Sequence, residues 1–382
     1  MNDAAAVAMT PPAAVAPRVK RDFLPSLALI RAVAALMVVY DHLVGVWLHN
    51  NEVVWRPAAI VDRWVFDPLH LMMHGGGLAV AMFFLVSGFV IVMVAQRETH
   101  RQFVVRRVLR IFPPLWASIL LLLLVYGAMT LAGVSPSGGT HPVEQVLQLP
   151  NPWPAIAGAM TLANYLLGTP AINSVAWTLA IEMLFYLAVA LLLPLLRTRP
   201  RTALAVAFVV LALLLLGRGA HPALFLLAVN AVYVTFLFLG SLIYFRWAGR
   251  IGNGFFALGT LAFWGLFLYG VARMVAQPPL QLADYGVSYA YAWLAFVVLL
   301  LLNDRMRLDR VTLFFSRISF SLYLNHGEIG LLLLSVLFPF LGYPTSLLVT
   351  FVAVVALSAA SWRWVEAPSQ RIARTWTGST AV

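Results

Sequence analysis

The chain has 382 residues, of which 62% are hydrophobic and 10% charged, with a net charge of +11. A soluble domain carries roughly 25% charged residues, so a soluble fold of this length could not bury so much apolar surface, and the bilayer must cover it. There is no cysteine, which excludes disulfides and thiolate metal sites. Nucleic acid is not the partner of the positive charge, because the arginines lie between apolar blocks, as the positive-inside rule requires.

In chain order, residues 1–17 are rich in Ala and Pro, and Arg18, Lys20 and Arg21 follow. We read 1–22 as a disordered basic tail that lacks the apolar run of a signal peptide. Apolar segments then fall at 24–48, 76–96, 112–133, 174–196, 202–217, 222–245, 252–274, 286–303, 317–339 and 344–365. Each is near the ~20 residues a spanning helix needs. The stretch 153–168 is also apolar, but Pro150, Pro152 and Pro154 precede it and Pro170 follows, so it reads as a re-entrant or interfacial piece. The expectation is an all-α integral membrane protein, a bundle of about ten transmembrane helices over 23–368, with 369–382 as a cytoplasmic tail. Gly75-Gly76-Gly77 has no phosphate-loop context and reads as a flexible lead-in to the second span. The long connections 49–75 and 134–173 are the expected outer binding surface.

With the N-terminus inside, 20 Lys and Arg fall on the cytoplasmic side and 4 on the outer side. That imbalance predicts both termini cytoplasmic and a multi-pass protein of the inner (plasma) membrane.

A charge at mid-bilayer costs at least ~2.5–3.5 kcal/mol on insertion scales, so such residues face a partner or a water-filled cavity. Arg31 and His42 are eleven residues apart, about 20° from three full turns, so both lie on one helix face roughly 16 Å apart along its axis. Asp41 sits beside His42, which can exchange a proton near neutral pH. The bland alternative is a structural arginine and a satisfied interfacial histidine. Arg106, Arg107 and Arg110 precede Pro113-Pro114, a pair that suits the opening of a helix. The cluster is therefore expected on a separate short helix at the cytoplasmic face, where its guanidinium forks suit phosphate or simply set topology beside anionic lipid headgroups. Glu182 lies one to two turns inside a span, and Arg31 or His42 are candidate partners. His326 and Glu328 follow Ser319-Phe320-Ser321-Leu322-Tyr323, as a reactive pair or a packing network. Asp67, His70 and His74 have a spacing that metals use, but no further ligand set accompanies them, and the expectation is no metal.

These positions also carry a family pattern. Leu29 to Ala35 running on to His42 resembles the R-x10-H first helix of the acyltransferase 3 family of membrane O-acyltransferases. Phe83-Phe84-Leu85-Val86-Ser87-Gly88-Phe89 is similar to its FFxxSGF, Arg107 to Pro113 to its RxxRIxP, and Trp177 to Glu182 with Phe185-Tyr186 to its WxLxxExxFY. Ser321 to His326 resembles its SxYLxH, and Val365 to Pro368 its closing xExP. Ala180 and Asn325 depart from the usual pattern. The six matches run in order over about 29–368, so 23–368 reads as an acyltransferase 3-like transmembrane domain. The soluble esterase-like domain fused to some members is absent, so outer-side chemistry that needs one requires a separate partner protein.

The resemblance implies transfer of an acyl group, commonly acetyl from acetyl-CoA as co-substrate with no permanently bound cofactor, to a hydroxyl of an envelope or exported glycan. It implies that Arg107 and Arg110, helped by Arg106, bind the anionic part of the donor. Arg31 then stabilises the thioester end or orients the site, His42 acts as general base or transient acyl carrier, and Glu182 orients His42 or contacts the acceptor. Ser87, Tyr323 and His326 take supporting roles, with a covalent role for Ser87 the lesser alternative. Rival classes are a proton-coupled transporter using Arg31, His42, Glu182 and Glu328, for which the paired inverted repeats of many transporters are not seen, and a structural subunit of an envelope-synthesis complex.

Overall fold

A computed structural model describes residues 23–134, 141–275 and 281–378. The basic tail expected over 1–22 lies outside the described residues. Eleven helices carry the architecture: α1 (Pro25–Asn50), α2 (Gly76–Ala95), α3 (His100–Leu131), α4 (Trp177–Thr198), α5 (Pro200–Leu216), α6 (Pro222–Trp247), α7 (Asn253–Gly270), α8 (Leu282–Leu301), α9 (Arg310–His326), α10 (Glu328–Ser361) and α11 (Ala367–Trp376). There is no strand among the described residues. Nine helical stretches among them are long and apolar enough to cross a membrane. The chain is a multi-pass all-α membrane bundle.

The last of those stretches, Glu328–Trp376, is 49 residues long. At 1.5 Å per residue that is about twice the thickness of a bilayer core. It does not run straight. Gly342 breaks the helix at φ 68°, and beyond it the chain doubles back, so that Val354 lies against Gly330 and Ser358 donates to the Ser321 carbonyl at 3.4 Å. α9 and the first arm of α10, interrupted at Gly327, therefore pair with the returning arm. The segments expected at 317–339 and 344–365 correspond to these two arms.

The third span corrects an expectation. α3 opens at His100, not near 112, because a reciprocal cap fixes its start: Gln102 N donates to Thr99 Oγ1 (3.2 Å) and Thr99 N to Gln102 Oε1 (2.8 Å). The helix continues through Pro113 and Pro114, which remove two backbone donors without ending it. Arg106, Arg107 and Arg110 thus belong to the spanning helix itself, with Arg110 one turn further along the face that carries Arg106 and Arg107. The stretch 153–168 forms two short helices, Trp153–Thr161 and Asn164–Leu167, too short to span. Residues 367–376, most of them expected in a tail, form α11, packed on the start of α3 through Ser369, Ala373 and Thr377.

Close backbone approach sets the centre of the bundle. A Cβ on Gly88 of α2 would collide with the Leu237 carbonyl of α6, and one on Gly240 with the Leu85 carbonyl. Ser241 Oγ donates to the Gly88 carbonyl at 3.2 Å. Small residues at this contact let two lipid-embedded helices gain packing that larger side chains would forbid. The glycines before α2 are likewise packed and not a flexible lead-in: a Cβ on Gly76 would meet the Asp41 carboxylate and one on Gly77 the Met72 side chain.

Candidate active site

Two cavities lie back to back in the bundle and share Val80 and Tyr323 as their common wall. The first, about 80 Å³, is lined by Arg31 of α1, Ser87 of α2, Arg110 of α3, Thr178, Glu182 and Tyr186 of α4, and Ser319 and Tyr323 of α9. The second, about 340 Å³, is lined by Asp41 and His42 of α1, Gly76 and Gly77, Ser174, Trp177, Tyr233, Tyr285, Tyr289 and Tyr323.

In the first cavity Arg31 donates from Nε (3.2 Å) and Nη2 (3.0 Å) to Ser319 Oγ. Ser319 passes its own proton to the Ser316 carbonyl at 2.9 Å, so its lone pairs face the arginine. Glu182 accepts a hydrogen bond from Ser87 Oγ on one oxygen and from Tyr186 OH on the other at 2.8 Å. The expected pairing of Glu182 with His42 does not occur, because His42 opens into the other cavity. Arg110 lies over the Phe320 ring at 5.9 Å and has no hydrogen-bond acceptor or carboxylate partner among the described residues. Two guanidinium groups therefore share the field of two carboxylates, Glu182 in the cavity lining and the buried Glu366 beside it.

The three clustered arginines of α3, Arg106, Arg107 and Arg110, divide. Arg107 Nη2 and Arg106 Nη1 grip the two oxygens of Glu98 at 2.7 and 2.9 Å, and Arg106 also donates to Thr377 Oγ1. Glu98 is 6% exposed, so this is a clasp tying the α2–α3 turn and α11 together. Only Arg110 of the cluster reaches the cavity.

The second cavity is built around a backbone irregularity. α1 widens to a π-turn over Asp41–Val46, a feature frequent at functional sites. His42 Nδ1 lies 3.1 Å from the Val38 carbonyl and 3.5 Å from Asp41 Oδ2. Both are acceptors, so Nδ1 carries the proton and Nε2 keeps its lone pair. Asp41 is 1% exposed and also faces His74 Nδ1 at 3.8 Å. His74, with φ 45°, reaches Asp62 at 3.8 Å through Nε2, so of the Asp67, His70 and His74 spacing only His74 takes part, in an Asp41–His74–Asp62 chain. Asp62 lies outside the spans, and burial pushes its carboxyl above the usual range while His74 pulls it back.

His326, fully buried on α9, meets the His42 ring edge-on with centroids 4.7 Å apart. Tyr323 OH accepts from Thr178 Oγ1 (2.9 Å) and donates to the Val175 carbonyl (3.0 Å), which fixes its ring between the cavities. Glu328, just past the Gly327 break, accepts from Ser174 N at 3.3 Å. Sequence reasoning missed Ser319, Tyr186 and the tyrosines of α6 and α8. An uncharged residue inside an apolar helix carries no signal of which face it occupies.

Comparison with known proteins gives the class. A family described as an acyltransferase domain matches residues 24–363. The chain belongs to that family. It is a membrane acyltransferase, transferring acyl groups other than aminoacyl groups. It is also similar to Nodulation protein 10 of Rhizobium leguminosarum bv. viciae, at 26% identity over 362 residues, covering 90% of this chain and 92% of that protein. No solved structure matches it significantly.

Proposed function

We propose that this acyltransferase moves an acyl group, acetyl in the first instance, from cytoplasmic acyl-CoA to a hydroxyl of a sugar-containing acceptor, an envelope or exported glycan. The protein sits in the inner membrane with both ends of the chain cytoplasmic, the arrangement that the 20-to-4 distribution of basic residues favours.

The observation that carries this reading is the pair of cavities meeting at Tyr323, one holding Arg31 and Arg110, the other holding His42. The cavity of Arg31 and Arg110 receives the thioester end of the donor. Arg31, held by Ser319, and Arg110, whose donors make no hydrogen bond among the described residues, offset the negative charge that develops on the thioester oxygen. The tyrosine and tryptophan walls of the other cavity give flat apolar faces with polar tips, which suit a sugar ring. His42 Nε2 takes the proton of the acceptor hydroxyl as the oxygen attacks the thioester carbon. The carbon–sulfur bond then breaks, and the sulfur leaves with the proton from the imidazolium. Asp41 beside Nδ1 stabilises the transient positive charge. Glu182, occupied on both oxygens, positions Ser87 and Tyr186 around the donor.

The test is transfer of label from acetyl-labelled acetyl-CoA by purified protein in liposomes, beside His42→Ala. Label reaching an added glycan, and falling ~10²-fold or more in the variant, supports the reading. Transfer that survives His42→Ala in a folded preparation refutes the role of His42. Absence of both CoA binding and label across several acyl donors refutes the donor.

A further inference from the structure

A third cleft, about 770 Å³, lies outside both cavities, where the π-turn Trp362–Glu366 passes into α11. α11 has two faces. Ser369, Ala373 and Thr377, spaced by four, are buried, and Thr377 is held by Arg106 and Gln102 of α3. The opposite stripe turns Arg371 and Arg374 into the cleft, where Arg363 joins them. All three arginines are exposed, and none has a carboxylate within ion-pair distance among the described residues. Three unopposed guanidinium forks converging on one cleft match a ligand with several phosphates. Trp364, 70% exposed beside them, offers a bare aromatic face. Trp362 is fixed under Arg317 at 5.3 Å.

The cleft is tied to the cavity of Arg31 and Arg110. Glu366, at the end of the π-turn, is buried and accepts from Ser321 Oγ at 2.8 Å. Ser321 is two residues from the Ser319 that holds Arg31. Arg371 and Arg374 lie five and eight residues beyond Glu366, roughly 8 and 12 Å along a helix. The extended pantetheine arm of a coenzyme A thioester bridges such a separation.

We propose that Arg363, Arg371 and Arg374 bind the nucleotide phosphates of the acyl-CoA donor, with Trp364 against its adenine, so that the thioester hangs into the cavity of Arg31 and Arg110. This rests on the donor assigned above and relocates its anionic end from Arg106 and Arg107, both of which are engaged by Glu98. Phosphates of anionic lipid headgroups share the same chemistry, and the experiment separates the two sources.

Purified protein in nanodiscs of neutral phosphatidylcholine is titrated with acetyl-CoA, with acetyl-dephospho-CoA lacking the 3′-phosphate, and with acetyl-pantetheine. The double variant Arg371→Gln/Arg374→Gln should bind acetyl-CoA roughly tenfold more weakly per arginine removed. It should lose the preference for acetyl-CoA over the dephospho form and bind acetyl-pantetheine as the parent does. Wild-type protein that binds acetyl-CoA while the double variant binds it equally well overturns the cleft and leaves the donor reading standing. Wild-type protein that binds no acyl-CoA overturns the donor reading itself. A third arm uses discs containing phosphatidylglycerol: a variant that releases co-purifying anionic lipid with unchanged acetyl-CoA affinity assigns the arginines to the lipid and overturns the proposal. Arg363→Gln alone, with its thermal unfolding measured alongside, checks that any loss is of contact and not of fold.

Discussion

His42 and His326 come from helices nearly 300 residues apart in sequence, yet their imidazoles meet edge to face at 4.7 Å. His326 Nδ1 lies 2.7 Å from the Tyr323 carbonyl and 3.1 Å from that of Leu322, so it carries the proton, and the buried Nε2 is left with no hydrogen-bond partner. An unpaired buried nitrogen is costly, and its retention beside His42 marks His326 as a positioning residue for that ring. His326→Asn keeps a donor where Nδ1 stood, and His326→Gln keeps an amide nearer Nε2. The Asn variant should fold normally and lose kcat by ~10²-fold, the cost of a misplaced reacting group, with KM for the donor little changed. The Gln variant should recover part of the rate. Full activity in His326→Asn would reduce His326 to a packing peg.

The division of the α3 arginines predicts two different phenotypes. Removing Arg107 takes the 2.7 Å partner from the buried Glu98 and leaves it with Arg106 alone, so the loss is less than the ~3–5 kcal/mol of a buried charge left with no partner. Arg107→Ala should therefore lower the unfolding temperature of the detergent-solubilised protein while the surviving folded fraction keeps its affinity for acetyl-CoA. Arg110→Ala removes a group that makes no hydrogen bond among the described residues, though it lies over Phe320 and in the field of Glu182 and Glu366. It should lower the unfolding temperature less than Arg107→Ala does and lower kcat by on the order of 10²-fold, as loss of one transition-state donor does. Thermal unfolding and single-turnover transfer on both variants would decide this, and a reversed pattern would return the donor phosphates to Arg107.

The contrast shows what the sequence could and could not disclose. Arg31, His42 and Glu182 were legible because a charge within an apolar run needs a reason, and periodicity gave their heights in the bilayer, whereas Arg110 was read on a separate cytoplasmic helix, outside the span that carries it. The spans were legible for the same cause, apart from α3. There the proline pair read as a start, whereas the true start is set by the Thr99–Gln102 cap twelve residues earlier. Partnership was not legible. Nothing in local pattern shows that Glu98 engages both Arg106 and Arg107 or that Arg371 and Arg374 stay unopposed. Likewise the spacing of Arg31 and His42 placed them on one face but could not show that Tyr323, from α9, stands between their cavities.

Tyr323 makes that partition testable. Its hydroxyl joins Thr178 and the Val175 carbonyl, and its ring stands at the junction where acceptor and thioester meet. Tyr323→Phe keeps the ring and forfeits about 0.5–1.5 kcal/mol per hydrogen bond, so transfer should stay within a few-fold of the parent. Tyr323→Ala widens that junction and admits water from the side of His42 to the thioester. Hydrolysis of acetyl-CoA without acceptor, read as free thiol release, should then rise relative to transfer. Equal hydrolysis in the parent and the Ala variant would mean that the ring is no barrier.

The contact between Gly88 and Gly240 sets the spacing of α2 and α6, and through α2 the place of Ser87 against Glu182. Neither glycine has a positive φ, so alanine is excluded by crowding alone: its Cβ would run into a carbonyl of the facing backbone, which cannot rotate away as a side chain can. Overpacking of this kind costs about 1–3 kcal/mol, and the two helices must part to relieve it. Gly240→Ala, a position that lines neither cavity, should therefore lower the unfolding temperature and also reduce kcat, because the Ser87–Glu182 hydrogen bond lengthens as α2 shifts. Gly127, whose added Cβ would meet nothing, is the control, and Gly127→Ala should change neither quantity. Activity lost in Gly240→Ala with an unchanged unfolding temperature would place the fault at the site and not in the packing. Both quantities unchanged would mean that α2 and α6 are not held at the separation these two glycines allow.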